Sequence, residues 1–272
     1  MAGRAAEPEV IWARPERAGR GPKPAYSRRD IVDAAVRIAD ADGIDAVSMR
    51  RVAAELGCGT MSLYNYVPRK EDLYELMVDA VSGEYDLPEE PSGDWRADMT
   101  AIAHQSRAIM YRHPWLARVM TTAYGFSPNA LRFLEWCLGC LAPLDVPAGL
   151  KMQLIAMVNG TVMATVANEQ AIAERARGLP WSEAEEQAVR GAYLMGQVAT
   201  GRYPHLAGLL AEAPAAPVDA DEIFAMTIAR LLDSFAPPVT GEPVTGEPVT
   251  GEPVTGEPVA GEPVTGEPVI EA

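Results

Sequence analysis

Between residues 60 and 70 the chain carries Thr60, Met61, Ser62, Tyr64, Asn65, Tyr66 and Lys70, with Arg50 and Arg51 shortly before them. These side chains suit contact with duplex DNA. An asparagine amide matches the donor and acceptor on the major-groove edge of adenine, and threonine or methionine carbon suits a thymine methyl. Tyrosine hydroxyls and a lysine ammonium suit phosphates, which fix register without reading sequence. No catalytic pattern competes. His104, His113 and His205 are dispersed, and no metal-spaced carboxylate set, serine elbow or phosphate loop occurs, so the chain reads as a non-enzyme needing no cofactor or metal. Cys137 and Cys140 form a C-x-x-C pair without a second pair, in an apolar helical setting that favours packed thiols.

The elements that must position these groups are short helices. Ser48 starts one, Gly57 ends it, and a second runs from about Thr60 to Tyr66 before Pro68 stops it. Val52, Ala53, Leu56, Leu63 and Val67 can pack inward, leaving the polar set outside. That is the plan of a helix-turn-helix. Ser27 caps a preceding helix whose apolar positions Ile31, Ala34, Ala35, Ile38 and Ala39 follow helical spacing to Gly43. Residues 71–81 form a fourth helix, with acids in the first turn suited to the dipole.

Pro88, Pro91 and Gly93 mark a boundary, and from Asp94 onward every periodic segment is helical. Helices are expected near 94–112, 115–121, 127–141, 147–177, 182–199 and 219–235, and the fold class is all-α. The 147–177 helix is apolar nearly all round, so it must be buried on more than one side. Its greasy stretch from Leu150 to Ala167 is interrupted by Lys151, Gln153, Asn159 and threonines, which argues for a buried helix rather than a membrane span. One face would line its own core. The other would join helix 219–235 in a four-helix homodimer interface.

The expected organisation is a basic flexible arm over 1–25, a DNA-binding domain over 26–82, a helical ligand-binding and dimerisation domain over 94–236, and a tail over 237–272. In the tail Val-Thr-Gly-Glu-Pro recurs every five residues, a composition that cannot pack a core and reads as disordered. It is an acidic solubilising spacer or, on a sharper reading, a competitor for the basic arm. The net charge of -15 is concentrated outside the head, since residues 23–70 hold 8 basic against 6 acidic residues. Overall acidity therefore discourages loose association without excluding local phosphate contacts. Three cysteines and an N-terminus lacking an apolar signal core point to the cytoplasm.

The run from Ser62 through Leu63, Tyr64, Asn65, Tyr66, Val67, Pro68, Arg69 and Lys70 to Leu73, following Met49–Gly57, resembles the TetR family of transcriptional regulators. The match is dense over 27–82 and looser beyond. The Ile11–Gly19 extension and the Met49–Tyr66 run look most like the branch that includes the simocyclinone-sensing efflux repressor. The resemblance implies phosphate contacts at Tyr64, Tyr66 and Lys70, and base reading by Thr60, Met61, Ser62 and Asn65. Ser48 and Arg50 stand at the start of helix two beside them. Arg69 departs from the family, which often has a capping Ser, Asn or Asp there, and leaves the cap of the fourth helix open. Arg17, Arg20, Lys23 and Arg28 would form an arm along the minor groove. A twofold pair on a near-palindromic operator and a small-molecule pocket are also implied. The pocket candidates are His104, Arg107, Tyr111, Trp115, Phe133, Trp136, Met152, Asn159 and Met163, and the effector an antibiotic or metabolite whose export is controlled. The competing reading is an effector-independent DNA-binding activator or scaffold.

Overall fold

A computed structural model describes residues 10–14, 26–120, 126–212 and 219–235. Every regular element among them is helical. The tail, Arg17, Arg20 and Lys23 lie outside the described residues.

The head begins with α1 (Arg28–Asp42), whose start is fixed by a capping box. The Ser27 hydroxyl accepts from the Asp30 amide while Asp30 accepts from the Ser27 amide. Gly43, at φ 81°, ends it in a conformation that disfavours a side chain. A 3-10 turn (Ile44–Ala46) leads to α2 (Met49–Glu55), α3 (Thr60–Leu63) and α4 (Lys70–Ser82). The third helix is shorter than the spacing predicts, because Tyr64–Tyr66 continue as turn rather than helix. Ile31, Val52, Ala53, Leu63, Val67, Leu73 and Met77 build the head core.

The body comprises α5 (Trp95–Arg112), α6 (Leu116–Met120), α7 (Pro128–Cys140), α8 (Ala148–Gly178), α9 (Glu183–Val198), α10 (Pro204–Glu212) and α11 (Ala220–Asp233). The α10 segment is a correction, since it lies between the helices expected near 182–199 and 219–235, where the sequence reading places none. α5, α8 and α11 pack together, with Ile102, Val158, Val162, Phe224 and Ile228 in the shared core. Cys137 and Cys140 are buried, and burial first of all pushes each thiol up to about 12.

α8 is long and apolar enough to cross a membrane by length and composition, with 28% of its most apolar window buried within the chain. Leu154, Ile155, Val158, Val162 and Val166 form its buried stripe, while Leu150 and Met157 are exposed. Within this chain the helix is covered along that stripe, and its other face, which the sequence reading gives to a partner subunit, is open.

The N-terminal segment also differs from expectation. Val10–Arg14 makes a turn with Ile11 buried in the core and Trp12 packed against it. This part of the arm is fixed, not free.

Candidate DNA-reading head and effector cavity

The reading surface is assembled by two local devices. At the start of α2 the Ser48 hydroxyl accepts from the Arg51 amide at 3.2 Å, so its main work is capping. After α2, Gly57 takes φ 65°, the left-handed turn that redirects the chain into α3. Leu63 and Val67 are fully buried and pin the segment from beneath. Between and beside them Met61 is 78% and Tyr64 41% exposed, and Asn65 is exposed as well. Thr60, Ser62 and Tyr66 are half-buried at the edge of the same surface.

Tyr66 is held by Tyr26, whose ring lies 5.3 Å away at a tilt of 53°. Burial pushes the Tyr26 hydroxyl upward, opposed by a hydrogen bond with Ser62. Tyr26 is a positioning residue that sequence reasoning missed. Lys70 lies 5.1 Å above the Tyr74 ring, close to the reading surface. Arg50 is exposed, whereas Arg51 pairs with Asp42.

Two basic side chains beside the reading surface are held by the protein itself. The Arg28 guanidinium donates to the carbonyls of Ile11 and Arg14 at 3.4 Å, so it is engaged in holding the N-terminal turn. Arg69 stands at the N-cap of α4, where its side chain supplies no acceptor. Asp72, in the first turn, accepts from the Arg69 amide at 3.1 Å and from its Nε at 3.1 Å. Only the acid's half of a capping box is therefore present, and Arg69 is committed to it.

Head and body meet at the break after α5. Both ring nitrogens of His113 face carboxylates, Nδ1 to Asp40 at 2.7 Å and Nε2 to Glu84 at 3.0 Å. The Trp115 indole N–H donates to the same Asp40 oxygen at 2.7 Å. Burial pushes Glu84 up, but hydrogen bonds from Arg112 and His113 outweigh it and hold the carboxyl below its usual range. Arg118 pairs with Asp45 at 2.9 Å, and the Asn129 amide donates to Asp79 at 2.7 Å. Body residues thus grip the end of α1, the following turn and α4.

Beneath this junction lies a cavity of about 340 Å³. Its walls include Glu75, Val78 and Ser82 of α4, Tyr85 of the α4–α5 connection, Ser106 and Met110 of α5, Leu116 and Met120 of α6, residues of α7 including Phe133, and Met152, Asn159 and Met163 of α8. The Tyr85 and Ser106 hydroxyls lie 2.8 Å apart, and the Tyr85 and Phe133 rings 4.6 Å apart. Such a mostly apolar pocket with a few polar groups describes a small-molecule site.

Of the pocket candidates read from sequence, Phe133, Met152, Asn159 and Met163 meet here. The other five do not line it. His104 abuts Phe224 edge-on at 5.2 Å, and Arg107 pairs with Glu169 at 2.8 Å and Asp221 at 2.6 Å. Tyr111 donates to Glu169, Trp115 to Asp40, and Trp136 to the Pro88 carbonyl at 2.9 Å. Sequence reasoning missed Glu75, Ser82, Tyr85 and Ser106. The available signal was the i, i+3, i+7 spacing of Glu75, Val78 and Ser82, which puts all three on one face of α4.

Residues 31–77 match the family model "Bacterial regulatory proteins, tetR family", and residues 87–236 match "Tetracyclin repressor-like, C-terminal domain". The chain is 40% identical over 204 residues to the HTH-type transcriptional repressor DrrR1 of Streptomyces coeruleorubidus, covering 74% of this chain and 75% of that protein. It is 34% identical over 204 residues to an HTH-type transcriptional regulator of Saccharopolyspora erythraea, covering 74% and 81%. Among solved structures, ActR of Streptomyces coelicolor in complex with actinorhodin superposes with a TM-score of 0.65 at 26% identity, covering 79% of this chain and 97% of that one.

Proposed function

The chain belongs to the TetR family of transcriptional regulators, and from that premise we propose that it is a repressor released from DNA by a small molecule in the cavity beneath its head. One observation carries the proposal: α4 is both the last helix of the head and a wall of the cavity, through Glu75, Val78 and Ser82. A ligand that repositions α4 changes the spacing of two reading heads. Coupling of about 1–3 kcal/mol suffices to alter occupancy several-fold or more.

We assign the head to residues 26–82, the body to 94–236, and the arm and tail to the remaining ends. Thr60, Met61, Ser62 and Asn65 read bases, while Tyr64, Tyr66 and Lys70 meet phosphates, with Arg50 beside them. Arg20 and Lys23 extend the contact into the minor groove. The exposure of Met61, Tyr64 and Asn65 around the buried Leu63 anchor supports this division of labour.

The protein works as a homodimer through α8 and α11. The exposed Leu150 and Met157 on α8 and Ile223 and Met226 on α11 support that pairing, since each lies on a helix whose opposite side is core. A twofold pair sets the heads roughly 34–36 Å apart and requires a near-palindromic operator. The Ile11–Gly19 and Met49–Tyr66 runs support an assignment to the extended branch that includes the simocyclinone-sensing efflux repressor, and with it control of an exporter. ActR with actinorhodin bound supports an antibiotic or metabolite as effector.

Selection of bound sequences from random duplex DNA, followed by footprinting, tests the reading. A pair of inverted half-sites one helical turn apart is expected, and the absence of any enriched sequence overturns it.

A further inference from the structure

We infer that the effector of this cavity is an aromatic cation whose ammonium group pairs with Glu75. The inference rests on the cavity being the effector site and adds the chemical class of what enters.

The charge pattern of the lining carries it. Among the described residues, Glu75 is the one acid that lines the cavity, and no lysine, arginine or histidine joins it there. Its carboxylate is half-buried on α4, and among the described residues it makes no hydrogen bond or ion pair. Arg69, the base whose charge reaches it, is committed to Asp72 at 3.1 Å. Burial, and then repulsion from Asp72, push Glu75 above the usual carboxylate range, so the ionised form is under-compensated as it stands. A bound cation supplies the missing partner. An anion would be desolvated against Glu75 with no counter-charge in reach.

The remaining wall fixes the other half of the ligand. Tyr85 and Phe133 present adjacent rings, and Met110, Met152 and Met163 offer deformable apolar surface. The Tyr85 and Ser106 hydroxyls share one hydrogen bond, which uses one of their two protons and leaves a single O–H donor on this wall. A fused aromatic system with one amine therefore fits both chemistries. Because Glu75 belongs to the last helix of the head, the ion pair forms on the element that must move.

The test uses full-length protein and a matched fluorescent series: aminomethylanthracene, its N-acetyl amide, and anthracene carboxylate. The amine is expected to bind about tenfold tighter than the amide, as a charge-assisted hydrogen bond exceeds a neutral one by roughly 1.4 kcal/mol, with the carboxylate weakest. Glu75→Gln should erase the preference between amine and amide, with circular dichroism confirming its fold. Equal binding of all three, or preference for the carboxylate, overturns the cation assignment while leaving the cavity as the effector site. Binding of none overturns both. A preference for the amine that survives Glu75→Gln also overturns the assignment, because the selecting charge then lies elsewhere.

Discussion

Trp115 donates its indole N–H to Asp40 across 2.7 Å, joining the break after α5 to the C-terminal part of the first head helix. The same carboxylate oxygen meets His113 Nδ1, also at 2.7 Å. One acid therefore satisfies two donors from the body, and Trp115 and His113 are both buried.

Asp40→Ala is expected to leave those donors unpaired and to destabilise the protein by about 1–3 kcal/mol. In a chain of this size that lowers the melting temperature by roughly 2–4 °C per kcal/mol. Thermal unfolding checks it. Asp40→Asn, which keeps an acceptor, should recover part of the loss.

The two faces of α3 should respond oppositely to truncation. Leu63→Ala, at a fully buried position, is expected to cost about 2–5 kcal/mol, read from denaturant unfolding. Met61→Ala, at an exposed position, should change stability by less than about 0.5 kcal/mol. It should instead relax base preference at one operator position in competition binding.

Lys70→Ala is expected to weaken operator binding about equally across sequences and to reduce the slope of log affinity against log salt by about one. Titration at several salt concentrations measures it. An unchanged slope would remove Lys70 from the phosphate contacts.

Glu75 should leave a mark on stability against pH. Its folded-state value is raised, so the native state holds the proton more tightly than the unfolded chain. The favourable contribution is complete below the unfolded carboxylate value and is lost as pH rises through the raised one. Glu75→Gln removes that dependence. Its melting temperature should match the parent in acid and exceed it at neutral pH.

How much of this was legible in the sequence follows from the range of the forces involved. The head is specified locally: Ser27 and Ser48 cap, Gly43 and Gly57 turn, and Leu63 and Val67 anchor. Each signal is complete within a few residues of where it acts. The cavity depends on which way α5 faces. Ser106 and Met110 point into it, whereas Arg107 and Tyr111, one step along the helix and so about 100° round, face Glu169. Periodicity distinguishes such faces but does not say which neighbour covers each. Tyr85 and Ser106, 21 residues apart, meet only because the chain folds back between α4 and α5. The Asp72 bond to the Arg69 amide was within reach of sequence, Asp72 being the N3 acid after Arg69.

The buried Ile11 and the Arg28 grip on the carbonyls of Ile11 and Arg14 change how the basic stretch beyond them must be studied. A truncated protein lacking its first two dozen residues would lose a stone from the foundation of the head together with the charges of interest. Neutralising Arg20 and Lys23 individually keeps the foundation whole, and any loss of DNA affinity can then be credited to the missing charge.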